Sequence, residues 1–309
     1  MTPRYRVVAG PNGSGKTTLM RRLAADYAVN FYSVLNADDI FAEVSRTGAY
    51  APRVSVTAGQ LKSYAAITSY PDDVKAPFAD GSITVDADCV RFRTKESATS
   101  YTVALLAGFL QEMHILERTS FSQETVFSHP SKVEALKAAV KSGFRTYLYF
   151  VATDSPDVNA ARVETRARLG GHSVPRGKVV ERYEKTFVNA VAAIPFLSRA
   201  FFFDNGGEVM RYLGGWNRDD GFVAARRVDG DVPRWFGRIR DALPEACAPC
   251  WDGLGEEGER LAPSAASASR DAVAAAFAAG LPVTVIRGGR IVRMFPDGTE
   301  AAAEKEEEP

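Results

Sequence analysis

Cysteine is scarce in this sequence. The 309 residues hold three, Cys89, Cys247 and Cys250, too few and too oddly numbered for a disulfide framework. Cys247-Ala248-Pro249-Cys250 has the spacing of half a zinc site, but no second cysteine pair completes it, and ligand count argues against a metal there. Long apolar runs are also missing. None approaches the ~18 residues that a spanning helix needs, so no membrane partner is expected. Net charge is absent as well: 38 Lys and Arg balance 38 Asp and Glu. A neutral chain lacks the broad basic field of an unspecific nucleic-acid binder. The opening stretch, Met1 to Arg6, has no apolar core of a signal peptide, and a reducing cytoplasm is the expected compartment. Disorder is excluded by a 46% hydrophobic content.

What is present begins at residue 6. Arg6-Val7-Val8-Ala9 is short, apolar and β-prone. Gly10-Pro11-Asn12-Gly13-Ser14-Gly15-Lys16-Thr17 follows, and then Thr18 opens a helical pattern to Tyr27 with Leu19, Leu23 and Tyr27 on one face. The octapeptide fits G-x-x-x-x-G-K-[ST] at every fixed position, in the strand–loop–helix context that the motif demands. Its glycines let the backbone curl with N–H groups turned inward. Those amides and the helix N-terminus form a site for phosphate oxygens. Lys16 is placed to reach the terminal phosphates and the Thr17 hydroxyl to ligate Mg²⁺. Residues Gly10 to Thr18 are therefore the expected nucleotide-binding set.

Up to about residue 205, strand and helix patterns alternate. Phe31 to Leu35, Phe121 to Phe127, Thr146 to Ala152 and Ala200 to Phe203 read as strands. Ser131 to Ser142, Val158 to Leu169 and Lys178 to Ile194 read as helices. Alternation of this kind predicts an α/β fold of the P-loop NTPase type, a parallel sheet sandwiched by helices. Residues 45–98 interrupt the rhythm as a loop-rich insertion after the second strand, with Ser82 to Phe92 strand-like. A first domain is expected over residues 1–207. Residues 208–309 read as a linker, including Glu256 to Arg260 and Pro263 to Ser267, followed by a small α+β appendage: a helix from Ser269 to Ala278 and a hairpin of Val283–Ile286 and Ile291–Phe295.

The acids select among the uses of such a cradle. No internal strand ends in the carboxylate of a motor ATPase, and Phe203-Asp204-Asn205 comes last. Asn36-Ala37-Asp38-Asp39 ends the second strand instead, at the edge where open parallel sheets hold ligands. Asp38 can there accept the proton of an attacking hydroxyl. The alternative is helix capping by these aspartates, with Asp39 the better placed. Glu124, within an apolar strand, needs a partner if buried; it reads either as a substrate or water-mediated Mg²⁺ contact or as half of an ion pair. Arg162, Arg166, Arg168 and Arg176 flank Gly170-Gly171-His172-Ser173-Val174-Pro175. Guanidiniums beside a glycine break suit a lid over phosphates, or else a solvated helix face.

Taken in order, the cradle Ala9 to Thr18, Asn36-Ala37-Asp38, Ser122-Gln123-Glu124-Thr125, the Arg162 to Arg168 segment with Gly170 to Pro175, and Phe203-Asp204-Asn205 resemble the zeta toxin family of P-loop kinases over about residues 5–207. The resemblance implies an ATP- or GTP-dependent kinase acting on a hydroxyl of a nucleotide sugar or a dinucleotide, with Mg²⁺, and an antitoxin protein as partner. It gives Lys16 and Thr17 the triphosphate and metal, and Asp38 the place of general base. Glu124 falls on the strand that meets substrate, and Arg162 or Arg166 would be lid arginines. Arg168 and His172 lie in the same lid, His172 standing where some members carry a second arginine. Two other functions use the same cradle: a nucleotide-hydrolysing regulator and a nucleic-acid end kinase.

Overall fold

A computed structural model describes residues 2–27, 29–171, 173–218, 221–224, 232–242 and 255–302. The chain opens with β1 (Arg4–Ala9), α1 (Lys16–Tyr27), β2 (Ser33–Leu35) and α2 (Ala37–Thr47). Residues 49–92 carry β3 (Ala49–Tyr50), α3 (Ala58–Ile67), α4 (Asp72–Ala79), β4 (Ile83–Asp86) and β5 (Cys89–Phe92). Then come α5 (Ser100–Leu116), β6 (Phe121–Thr125), α6 (Ser131–Lys141), β7 (Arg145–Ala152), α7 (Pro156–Arg168), α8 (Arg176–Ala193) and β8 (Arg199–Asp204). The described C-terminal elements are β9 (Arg211–Asn217), β10 (Gly221–Ala224), α9 (Arg234–Arg240), α10 (Gly255–Ala278), β11 (Val283–Arg287), β12 (Arg290–Met294) and β13 (Glu300–Ala302).

Seven strands form the main sheet in the order β10-β9-β8-β7-β1-β6-β2. Pairing of β2 with β6, and of β7 with β8, is parallel. Helices flank this mostly parallel sheet, which is the α/β architecture that the strand–helix alternation predicts. The sheet does not stop at residue 207. Strand β9 adds to β8 antiparallel, with a bulge at Phe202/Phe203, and β10 adds antiparallel to β9. By internal contacts the chain divides into two compact units, one of residues 1–6, 31–125 and 135–145, the other of residues 7–30, 126–134 and 146–309.

In the first unit, α5 is apolar nearly all round and buries Val103, Leu105, Leu106, Phe109, Leu110 and Met113, as a core helix must. Thr99 caps it, its hydroxyl taking the Thr102 N–H. Tyr5 and His114 stack on Phe121 with ring centroids 4.3 and 5.0 Å apart. The insertion is more regular than its prolines suggest. Helices α3 and α4 lie between the first two strands of a three-stranded antiparallel sheet of order β3-β5-β4. The Ser82 to Phe92 stretch is a hairpin, turned by Ala87 and Asp88 at φ 45° and 62°. Thr57 and Gln60 form a capping box at the start of α3, and Pro77 sits inside α4.

In the second unit, β7 and β8 run in register from Tyr147↔Arg199 to Ala152↔Asp204. Buried Phe150 and Phe202 belong to this pair, and Trp235 of α9 packs on Phe150 and Phe187 at 5.6 and 6.1 Å. The expected linker at residues 256–267 is helix instead: α10 begins at Gly255 and runs through Pro263. Tertiary packing overrides the local breakers. Leu261, Ala265 and Ala268 are buried, and the Ser264 hydroxyl donates to Asp26 of α1 at 2.7 Å. Arg22 of α1 donates from Nε to Asp271 of α10 at 2.7 Å. Beyond α10, Gly288-Gly289, both at positive φ, turn the β11–β12 hairpin, and β13 pairs with β12. No helix among the described residues is long and apolar enough to cross a membrane. Cys247, Cys250 and the acidic run at 304–308 lie outside the described residues.

Candidate functional site

The loop between β1 and α1 is shaped by its glycines. Gly10, Gly13 and Gly15 have φ of 148°, 73° and 97°, which side chains rarely adopt. Space forbids side chains too. A Cβ on Gly10 would lie 1.9 Å from the Val151 carbonyl oxygen of β7. On Gly13 it would lie 2.4 Å from the Asn159 carbonyl oxygen of α7, and on Gly15 2.6 Å from Asn205 Nδ2. The carboxyl end of β7, helix α7 and the segment after β8 therefore close on the loop from outside. Asn205 also donates from Nδ2 to the Ser14 carbonyl at 2.8 Å.

Lys16 is buried, and its Nζ donates to the carbonyls of Gly10 and Pro11, each at 2.9 Å. The ammonium is thus held along the loop rather than out in solvent. Asn12 Oδ1 and Ser14 Oγ are buried with no hydrogen-bond partner among the described residues. A buried hydroxyl without a partner costs about 1–3 kcal/mol. Phosphate oxygens would take its proton, so the donor set fits a polyphosphate. Thr17, half-buried in the first turn of α1, is the residue that would hold a divalent cation.

Asp38 and Asp39 are exposed in the first turn of α2, directly after β2. The helix starts at Ala37, so its cap is Asn36, not Asp39. Asn36 Oδ1 accepts the Asp38 N–H at 2.9 Å, while Nδ2 donates to Glu124 Oε2 at 3.1 Å. One amide side chain thereby caps α2 and orients the half-buried Glu124. Both aspartates lie in the first turn of α2, where negative charge complements the positive end of the helix dipole.

Arg162 lies on the face of α7 toward the C-terminal hairpin. Its Nη1 donates to the Asn205 carbonyl at 2.6 Å, Nε to Thr284 of β11 at 2.9 Å and Nη2 to Gly207 at 3.5 Å. Burial lowers its guanidinium to about 10, with the nearby Asp204 carboxylate opposing. It is an anchor of the framework. Arg166 is half-buried and Arg168 exposed at the end of α7; Gly170, at φ 83°, closes the helix. Arg176 turns back to pair with Asp157 in the first turn of α7. His172 lies outside the described residues.

Several residues at this end of the fold carry weak sequence signals. Asn159 is fully buried; its Oδ1 accepts from Thr153 Oγ1 at 2.8 Å, and its Nδ2 has no partner among the described residues. Phe127, after β6, is buried at φ 64°, an outlier for a bulky side chain. Asn189 Nδ2 holds its carbonyl at 2.9 Å, and Thr186 Oγ1 holds that of Val126 at 2.9 Å. Burial lowers the Lys132 ammonium, in the first turn of α6, to about 8. Asparagine and threonine within helices look like ordinary polar surface in a sequence. Only their burial marks them.

Among known proteins, an uncharacterized protein of Haemophilus influenzae is 29% identical over 69 residues, which are 22% of this chain and 49% of that one. The chain thus spans about half the length of the curated relative it matches. Among the solved structures similar to the chain are two at low identity. One, at 12% identity and TM-score 0.40, covers 89% of this chain and 87% of its own; it comes from the PezAT chromosomal toxin–antitoxin system of Streptococcus pneumoniae. The other is a complex of AvrRxo1-ORF1 and -ORF2 with ATP, at 13% identity and TM-score 0.43, covering 89% and 80%. The match that decides membership is to AAA_33, described as an AAA domain, over residues 6–189. It takes in most of β1, the glycine loop and everything through most of α8, more than half of the chain, and the protein belongs to that family.

Proposed function

We propose that this protein is a phosphotransferase that takes the γ-phosphate of ATP or GTP and delivers it to a hydroxyl of a small molecule. The observation that carries the reading is the loop of residues 10–17. Three glycines in conformations closed to side chains, a buried lysine and a serine hydroxyl with no partner among the described residues converge there. That donor set grips a triphosphate.

In this reading Lys16 neutralises the terminal phosphates and Thr17 holds Mg²⁺, which would supply charge neutralisation at the transferring group. Asp38 is the general base. Its place after a parallel strand, in the first turn of α2, supports the role. Glu124, steadied by Asn36, meets the acceptor. Arg166, with Arg168 and His172 beside the Gly170-Gly171 break, serves the lid. Arg162 acts through the segment it holds. The acceptor class that the zeta-toxin resemblance implies is a nucleotide sugar or a dinucleotide, and the partner it implies is an antitoxin protein.

Incubation with γ-labelled ATP, Mg²⁺ and a pool of nucleotide sugars and dinucleotides tests this, with products identified by mass. A gain of one phosphate on a pool member, lost in Asp38→Asn and Lys16→Ala, is the expected result. ATP turnover with no phosphorylated acceptor would replace the reading with that of a nucleotide-hydrolysing regulator.

A further inference from the structure

The C-terminal segment lies wholly beyond the family match, yet it is tied to the cradle by a continuous chain of hydrogen bonds. The Thr284 carbonyl of β11 and the Asn205 carbonyl share the guanidinium of Arg162, at 2.9 and 2.6 Å. Asn205 then donates from Nδ2 to the Ser14 carbonyl at 2.8 Å. Its own N–H is fixed on the Ala152 carbonyl at the end of β7, 2.8 Å away. Next to it, Ile286 of β11 donates its N–H to the Gly206 carbonyl at 2.7 Å. The Ser269 hydroxyl of α10 accepts the Met210 N–H at 2.9 Å and donates to the Glu208 carbonyl at 3.0 Å. Every peptide from 205 to 208 is thus held by α7, α10 or β11. Asn205, Ser269 and Thr284 are buried; the Asn205–Ser14 and Met210–Ser269 bonds are buried, and those of Arg162 part-buried.

The grip on Ser14 bears directly on phosphate binding. In a planar trans peptide the C=O and the following N–H point in opposite directions. Holding the Ser14 carbonyl outward on Asn205 turns the Gly15 N–H the other way, toward the concave side of the loop. Gly15, at φ 97°, packs so close to Asn205 and Met210 that a Cβ would lie 2.6 and 3.1 Å from them. The loop therefore cannot shift outward without breaking the bond.

We infer that Arg162 and Asn205 are positioning residues of the donor site, and that β11, through Arg162, and α10, through its hold on residues 208–210, brace the segment that grips the phosphate cradle. The inference rests on the reading of residues 10–17 as a nucleotide cradle. The C-terminal segment is then part of the nucleotide site although it touches no phosphate. Preorganised amides bind without the ordering cost of a loose loop.

The test is the dissociation constant of a fluorescent ATP analogue with Mg²⁺, measured on the full chain. The proteins are the wild type, Lys16→Ala, Asn205→Ala, Arg162→Lys and the Asn205→Ala/Arg162→Lys double variant, each also followed by thermal unfolding without nucleotide. Asn205→Ala and Arg162→Lys should each weaken binding about tenfold at temperatures where they are fully folded. In turnover they should raise KM for the donor and leave KM for the acceptor unchanged. The double variant should bind no more weakly than the weaker single, because both act through one path. Should Asn205→Ala fail to fold, Ser269→Ala carries the same test from α10, with a severalfold loss of affinity expected. Wild-type affinity in folded Arg162→Lys and Ser269→Ala, or additive losses in the double, overturns the inference. A wild type that binds no nucleotide, or a Lys16→Ala that binds as well as the wild type, overturns the cradle reading instead.

Discussion

Asn36 and Glu124 are joined by a 3.1 Å hydrogen bond from the amide Nδ2 to the carboxylate. The same asparagine caps α2 through its Oδ1. The two jobs separate by substitution. Asn36→Ser retains a cap oxygen and loses the Glu124 bond, while Asn36→Ala loses both. Loss of a cap costs about 1 kcal/mol. Asn36→Ala should therefore melt several degrees below the wild type, with Asn36→Ser between them. In the proposed reaction both should depress turnover alike, because both lose the Asn36–Glu124 bond. Equal melting temperatures for the two variants would contradict the division of roles.

Gly13 faces the Asn159 carbonyl with no room for a methyl group. Gly13→Ala places a Cβ 2.4 Å from that oxygen at a φ that costs a side chain about 1 kcal/mol or more. The variant is expected to lose about 2 kcal/mol of stability and all measurable nucleotide affinity. Gly177→Ala, at a helical site with open space around it, is the control and should gain slightly. Urea denaturation followed by circular dichroism reads both. An unimpaired Gly13→Ala would mean the loop is not as closely walled as the structure has it.

His114 is buried against Phe121, its Nδ1 2.7 Å from Thr119 Oγ1. Burial pulls its imidazole down to about 4. The folded state therefore holds the proton less well than the unfolded chain, whose histidine titrates near 6.5. Stability from this residue is complete above about pH 6.5 and is lost as the pH falls through the folded value. The loss between pH 7 and pH 4 is on the order of 3 kcal/mol. His114→Gln should flatten that part of the stability–pH curve. A curve of unchanged slope in the variant would assign the acid sensitivity to other groups.

Asp204 ends β8 as a buried carboxylate. It pairs with Arg211 at 2.8 Å and accepts from Trp235 Nε1 and the Gly206 N–H, each at 3.3 Å. Removing one member of such a set leaves the others without their partner. Asp204→Ala should cost about 3 kcal/mol, and fluorescence of the tryptophans during urea unfolding measures it. Asp204→Asn, which keeps the shape, should cost less. Equal losses would make volume rather than charge the cause.

The core strands and the glycine loop were legible because apolar runs such as Thr146 to Ala152 and the octapeptide at Gly10 are local patterns. The insertion was harder to read. Its prolines at 52, 71 and 77 suggested loops, but Pro71 and Pro77 lie at the start and inside of α4. Helix α10 was obscured by Pro263 and by glycines, since what stabilises it is distant: Asp26 and the face of α1. The same holds for Arg162. Its spacing from Arg166 is that of a shared helix face, but the carbonyls that claim it belong to residues 205, 207 and 284. No periodicity announces a partner more than 40 residues away.

Calorimetric titration of Mg²⁺-ATP into the wild type and into Lys16→Ala tests the account most directly, since every later step begins with a triphosphate in the loop at residues 10–17. Saturable binding at one site in the wild type, absent in a Lys16→Ala protein of unchanged circular dichroism, is the predicted result. Equal binding by both proteins, or none by either, would contradict it.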